Sequence, residues 1–150
     1  RSLVRFVLSC SRDKSFLCWD LMAEKRITSH SQVKGGINSI ALTGDQKSII
    51  TVGQERGVSV WSLRTPRPLQ QWGAGGEMCC LATASSLPLA ATGGVNRLVM
   101  LWDLSTGKCV GKGAGHSARI TDLAFSPDDQ QLVSVGEDGT IMIWNIYTGL

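Results

Sequence analysis

Apolar residues in this chain come in short β-rich runs, and four of these runs close on a tryptophan: Phe16-Leu17-Cys18 before Trp19, Val58-Ser59-Val60 before Trp61, Leu98-Val99-Met100-Leu101 before Trp102, and Ile141-Met142-Ile143 before Trp144. Runs of this length, rich in β-branched residues and bounded by turn formers, predict buried central strands. The tryptophans stand 42, 41 and 42 positions apart, so the chain is an internal repeat. A period near 42 predicts four-stranded propeller blades, because one such sheet has two faces to bury and only a neighbouring sheet can cover them.

A gap-free alignment on the tryptophans brings other columns into line. Ten positions before each lies a hydroxyl, at Ser9, Thr51, Thr92 and Ser134. Six before lies a short polar or acidic residue, at Asp13, Glu55, Asn96 and Asp138. Eight before come Ser11, Gly53, Gly94 and Gly136, which predict the tight turn between two strands, where small residues suit positive φ. Further upstream, Ile37, Met78 and Ile120 are each followed three residues later by Ile40, Leu81 or Leu123. These predict an inner strand that ends in turn residues such as Gly44-Asp45 and Ser126-Pro127-Asp128.

With these columns in place, Gly115-His116, Phe125-Ser126-Pro127-Asp128, Gly136-Glu137-Asp138-Gly139-Thr140 and Ile143-Trp144-Asn145 resemble the WD40 repeat almost position by position. The resemblance implies an all-β WD40 β-propeller. Residues 1 to 28 look like the last three strands of one blade, 33 to 72 and 73 to 112 like whole blades, and 115 to 150 like a blade without its outer strand. That is about three and a half four-stranded blades, in a family whose rings have seven or eight. The chain then reads as an excerpt of a longer protein. An open arc exposes sheet faces and edges, so more of the same chain, or another copy, is expected to complete the ring.

Composition narrows the function classes. The chain is 43% apolar with 17 glycines, typical of a globular β protein, and has no apolar run long enough to span a bilayer. Cys10, Cys18, Cys79, Cys80 and Cys109 are odd in number and lack CxxC spacing, which predicts reduced, structural thiols in a cytoplasmic setting. Two histidines and no ligand cluster give no basis for a metal site. The net charge of +3 is small but uneven: residues 1 to 75 carry eleven Lys/Arg against five Asp/Glu, and residues 76 to 150 carry four against seven. A basic flank leaves nucleic-acid or phosphoinositide binding as an alternative, without an RNA-binding aromatic motif to support it.

His116, Ser134 and Asp138 are the ingredients of an acyl-transfer triad. The WD40 resemblance implies a different use, in which His116, Ser134, Asp138 and Trp144 form one hydrogen-bonded chain inside a blade: the carboxylate holds the imidazole, which donates toward the hydroxyl, which reaches the indole. In the other blades Val33 and Ala74 occupy the histidine column, and His30 serves the second blade only if the loop slips by three residues. One complete network and partial ones elsewhere are expected. Gly107-Lys108 and Gly111-Lys112-Gly113-Ala114-Gly115 do not match a phosphate-binding loop and read as a flexible link between blades. No catalytic, metal or cofactor residue is assigned.

Function is therefore expected from a surface. The resemblance points to the top rim around the channel, with Arg12, Gln54, Val95 and Glu137 just before the turn acids, Gly36, Glu77 and Arg119 at the inner-strand starts, and Asn38, Cys79 and Thr121 two residues on. Arg12, Gln54, Glu77, Arg119 and Glu137 are the candidate partner-binding residues. The loop Arg64-Thr65-Pro66-Arg67-Pro68, with Trp72 nearby, is stiffened by two prolines and reads as a rigid turn, with a peptide-contact corner as the alternative. Trp61-Ser62-Leu63-Arg64 half-matches the WDxR signature of propellers that recruit substrates to cullin ubiquitin ligases, but Ser62 replaces the aspartate. The leading expectation is a non-enzymatic protein-interaction scaffold in a multiprotein assembly. Its partners would be other proteins, with no small-molecule substrate, and nucleic acid stays only the alternative named above. Gly35-Gly36-Ile37-Asn38-Ser39-Ile40 with Val52-Gly53-Gln54-Glu55 is similar to ciliary axoneme WD-repeat proteins, which adds the axoneme as an alternative to the cytoplasm.

Overall fold

In the computed structural model, residues 5–147 are described, and they form fourteen strands in four antiparallel sheets. The first sheet is β1 (Phe6–Cys10), β2 (Ser15–Asp20) and β3 (Lys25–Ser31). The second is β4 (Ile37–Leu42), β5 (Ile49–Gly53), β6 (Gly57–Trp61) and β7 (Gln70–Gly73). The third is β8 (Met78–Thr83), β9 (Leu89–Gly94), β10 (Leu98–Asp103) and β11 (Lys108–Ala114). The fourth is β12 (Ile120–Phe125), β13 (Gln131–Gly136) and β14 (Ile141–Asn145). Every pairing is a sequential meander, and the sheets stack through their inner strands, β4 on β8 and β8 on β12. The fold is all-β and built of propeller blades.

The core lies between sheets rather than within one. Ile50, Val52, Val58 and Val60 of the second sheet pack on Met78, Leu81, Met100 and Trp102 of the third. Cys80, Ala91 and Val99 of the third pack on Ile120, Leu123 and Leu132 of the fourth. Phe16 of the first joins Ile37, Ile49 and Trp61 of the second. Removing this apolar surface from water is the main stabilising term, so neighbouring blades stabilise one another.

Three sequence expectations are corrected here. Positive φ falls five residues before each tryptophan, at Lys14 (76°), Arg56 (62°), Arg97 (63°) and Gly139 (74°), not eight before. The small residues eight before are needed for close approach instead: a Cβ on Gly53 would lie 2.1 Å from the Gly36 carbonyl oxygen, and one on Gly94 2.1 Å from that of Glu77. The tryptophan strands are also not uniformly buried. Ile141 is 73% and Ile143 65% exposed, because no other sheet packs on that face of the fourth sheet among the described residues. Likewise the glycine-rich stretch read as a flexible link belongs to β11, paired along β10 from Leu98↔Ala114 to Asp103↔Lys108.

Polar groups clasp adjacent blades as well. Thr83 Oγ1 donates to the Leu42 carbonyl (2.6 Å). The Asp129 carboxylate, only 2% exposed as a residue, accepts the backbone N–H groups of Ser85 (2.8 Å) and Ser86 (2.7 Å). Removing it leaves two amides at a blade junction without their acceptor. Asp129→Ala is expected to lower unfolding free energy by about 1 to 3 kcal/mol, from the cost of unsatisfied polar groups. Chemical denaturation with an unchanged midpoint would show that water replaces the carboxylate.

Candidate functional site

The residues that looked most like chemistry are closed off. Asp138 sits in the turn between β13 and β14, Ser134 faces inward on β13, Trp144 ends the β14 run, and His116 comes from the loop before β12. His116 Nδ1 lies 3.0 Å from Asp138 Oδ2, and Nε2 lies 2.7 Å from Ser134 Oγ. Trp144 Nε1 donates to the same Ser134 oxygen at 2.9 Å. In the neutral imidazole with its proton on Nδ1, that N–H donates to Asp138 and Nε2 accepts from Ser134, whose oxygen accepts from the indole.

Two further groups complete the set. Thr140 Oγ1 donates to Asp138 Oδ1 (2.8 Å), and the backbone N–H groups of Ser117 (2.9 Å) and Thr140 (3.1 Å) reach the same carboxylate. The signal for Thr140 was a hydroxyl two residues after the acid. Ser15 repeats it beside Asp13, its hydroxyl donating to Oδ1 at 2.6 Å. The His116 side chain is fully buried and that of Asp138 5% exposed, and Ser134 is fully buried. A nucleophile needs an open face toward its substrate, and Ser134 has none.

Burial pushes the Asp138 carboxyl pKa up, but hydrogen bonds from the Thr140 hydroxyl, the Ser117 and Thr140 amides and His116 together hold it well below the ordinary carboxylate range. The folded value lies below the unfolded one, so this stabilisation is complete above about pH 4, the ordinary aspartate range. It is lost as the pH falls further. Asp138→Asn is expected to flatten the acid side of the stability curve, measured as melting temperature against pH. An unchanged slope would contradict the assignment. His116→Ala is expected to cost about 2 to 4 kcal/mol, because it leaves Asp138 and Ser134 each short of a buried partner. Calorimetry reads that loss.

The other sheets retain the indole clasp without a histidine link. Trp19, Trp61 and Trp102 donate to Ser9 (2.9 Å), Thr51 (2.8 Å) and Thr92 (2.9 Å). His30 does not serve the second blade. It lies on β3, stacked on Phe16 at 4.8 Å and edge-on to Trp61 at 6.3 Å, and its Nδ1 has no hydrogen-bond partner among the described residues. Val33 is 86% exposed, whereas Ala74 is buried.

The rim residues behave differently. Arg12, Asn38, Glu77, Cys79, Arg119 and Thr121 line one open hollow of about 360 Å³, together with Cys10, Ser11 and Ile37. The backbone explains the convergence. A register shift interrupts the pairing of β4 between Ile37 and Ser39, of β8 between Met78 and Cys80, and of β12 between Ile120 and Asp122. Each shift leaves one extra residue, Asn38, Cys79 or Thr121, and such bulges re-aim side chains. Composition and spacing gave no sign of them.

Within the hollow, Asn38 Nδ2 donates to Glu77 Oε1 (3.0 Å) and to the Met78 carbonyl (2.9 Å), which fixes both side chains across a blade junction. Arg119 forms an ion pair with Glu137, Nε lying 3.2 Å from Oε1. Hydrogen bonding to Glu137 and its charge raise the Arg119 pKa, and the pair is about half exposed, so its net contribution to stability is small. Glu137 thus reaches the hollow through Arg119 and does not line it. Gln54 is also outside, its Oε1 accepting the Gly36 amide at 2.8 Å. Burial raises the Cys79 thiol pKa, only partly countered by Arg119. All five cysteines are free, and no cluster of three or more metal-ligating side chains occurs among the described residues.

Comparison with known proteins agrees with the blade geometry. The profile of the WD40 family, "WD domain, G-beta repeat", matches residues 107–145. The chain is 32% identical over 140 residues to cilia- and flagella-associated protein 52 of Chlamydomonas reinhardtii, covering 92% of this chain and 23% of that protein. It is 31% identical over 157 residues to rat apoptotic protease-activating factor 1 (95% and 12%), and 26% over 148 residues to protein FIZZY-RELATED 3 of Arabidopsis thaliana (95% and 31%). The chain therefore spans less than a third of each of these relatives. Its sheets and its repeat identify it as a stretch of WD40 β-propeller blades.

Proposed function

We propose that this stretch of WD40 blades is a non-catalytic scaffold that offers its rim hollow to a protein partner, within a multiprotein assembly of the ciliary axoneme. The observation that carries the reading is the convergence of Arg12, Glu77 and Arg119 on one hollow. Arg12 lies in the β1–β2 turn and Glu77 and Arg119 directly precede β8 and β12, so the sheets hold their backbone and binding orders little of the scaffold. Arg12, which forms no ion pair among the described residues, suits a partner segment with an acidic side chain flanked by polar groups, since the planar fork pairs well with carboxylates; Arg119 beside it is already paired with Glu137. The axonemal part rests on likeness to a protein named for cilia and flagella, matched along most of this chain. The remaining blades would come from the same longer chain and cover Val7 and Trp19 at one end and Ile141 and Ile143 at the other, all of them exposed here.

The test uses the full-length protein, tagged and expressed in ciliated cells. Arg12→Glu is expected to weaken partner capture about tenfold, equivalent to about 1.4 kcal/mol, without moving the melting temperature. His116→Ala is expected to lower the melting temperature and preserve capture at permissive temperature. Undiminished capture by both Arg12→Glu and Arg119→Ala would move the binding face to the side wall or the opposite rim. Exclusion of the wild-type protein from axonemes would refute the ciliary assignment.

A further inference from the structure

The connection between β6 and β7 stands apart from its equivalents. It runs over residues 62–69, eight residues, whereas β2 and β3 are joined by 21–24 and β10 and β11 by 104–107, four residues each. The Leu69 amide donates to the Val60 carbonyl (2.7 Å) and closes the base of the loop. Beyond that base, Arg64, Pro66 and Arg67 are exposed and Thr65 is half-buried. Neither Arg64 nor Arg67 forms an ion pair among the described residues. The Thr65 hydroxyl donates only to the Arg67 carbonyl (3.1 Å), within the loop itself. Its amide lies 3.4 Å from the Ser62 carbonyl, a weak contact. Pro66 and Pro68 have no N–H to anchor the strand and bias the chain toward an extended course.

Four prolines occur in the chain, and two of them follow a hydroxyl residue, Thr65-Pro66 and Ser126-Pro127. Structure separates the two pairs. Ser126 Oγ donates to Asp128 Oδ1 (2.5 Å) and accepts the Gln131 amide (3.0 Å), and its backbone N–H donates to the Gln131 carbonyl (2.8 Å). That hydroxyl holds the β12–β13 turn closed. Thr65 holds nothing outside its own loop.

We propose that Thr65 is a phosphoacceptor for a proline-directed protein kinase. The γ-phosphoryl group of ATP passes to Thr65 Oγ1: an O–P bond forms there, the bond between the γ-phosphorus and its bridging oxygen breaks, ADP leaves, and the hydroxyl proton goes to the kinase's base. Flanking Arg64 and Arg67 then face a phosphate of nearly two negative charges, which converts a basic corner into a near-neutral one with three strong acceptor oxygens. Any partner held at this corner by its positive charge is released by the modification.

The test incubates the full-length, folded protein with Mg-ATP and a purified kinase of the cyclin-dependent class, followed by peptide mass spectrometry. Phosphate is expected on the Thr65 peptide and not on the Ser126 peptide. It is expected to vanish in Thr65→Ala and to fall roughly tenfold or more in Pro66→Ala, the usual scale for losing a recognition contact. Both variants lie outside the packed core, and matching melting curves confirm that they are folded. An unmodified Thr65, a Pro66→Ala variant modified as fast as wild type, or equal labelling of Ser126 would each overturn the proposal.

Discussion

One contact recurs in all four sheets: a tryptophan indole donates to a hydroxyl ten residues earlier on the adjacent strand. The distance stays within 2.8 to 2.9 Å even though the hydroxyl is serine in two sheets and threonine in two. An indole is large enough to seal the space between blades, but its N–H must find an acceptor when buried. The ten-residue spacing supplies one only if the intervening turn and the strand register are correct. Burying the tryptophan therefore fixes the hairpin, and the hairpin orients the strand edges that carry the rim. His116 and Asp138 are an elaboration of this contact in the last sheet. They add a buried proton chain that closes on the same Ser134 oxygen.

The repeat, the hydroxyl column and the turn acids were legible because each is a fixed offset from a tryptophan. The conformational reason for the small residues was not. Glycine at the ends of β5 and β9 looks like a turn former, yet it is there because a neighbouring carbonyl approaches too closely for a Cβ. The true left-handed positions hold Lys14, Arg56 and Arg97, residues that give no local sign of positive φ. Exposure along β14 was illegible for a different reason: alternation in a strand records its own preference for burial and not whether a neighbour is present to provide it. The glycine-rich stretch Gly111–Gly115 failed the other way. Gly113 lies where a Cβ would be 2.6 Å from the Trp144 ring, so composition that suggests a flexible loop instead marks close packing of a strand on a tryptophan.

At the rim, the sequence offered single residues and the structure assembles them. Arg12, Glu77 and Arg119 arrive from three blades, and the bulges at Asn38, Cys79 and Thr121 add one side chain per inner strand to the same hollow. Gln54 and Glu137 share the alignment columns of the rim but are committed to Gly36 and Arg119. A residue's position in the repeat thus places it near the channel, while the hydrogen-bond partners of its neighbours decide whether it faces a ligand. The buried groups set rigidity, and under the proposed function the exposed rim side chains set recognition.

The most direct test of this account compares the indole clasp in a buried and an exposed setting. Thr92→Val keeps the shape of a fully buried side chain and orphans the Trp102 N–H, whereas Ser9→Ala removes the acceptor of Trp19, which is 36% exposed. Equilibrium denaturation of the full-length protein is expected to show a loss of about 1 to 3 kcal/mol for Thr92→Val and a few tenths for Ser9→Ala, where water takes over the bond. Equal losses, or none for Thr92→Val, would mean that apolar burial alone positions the tryptophans and that the hydroxyl column does not set the register.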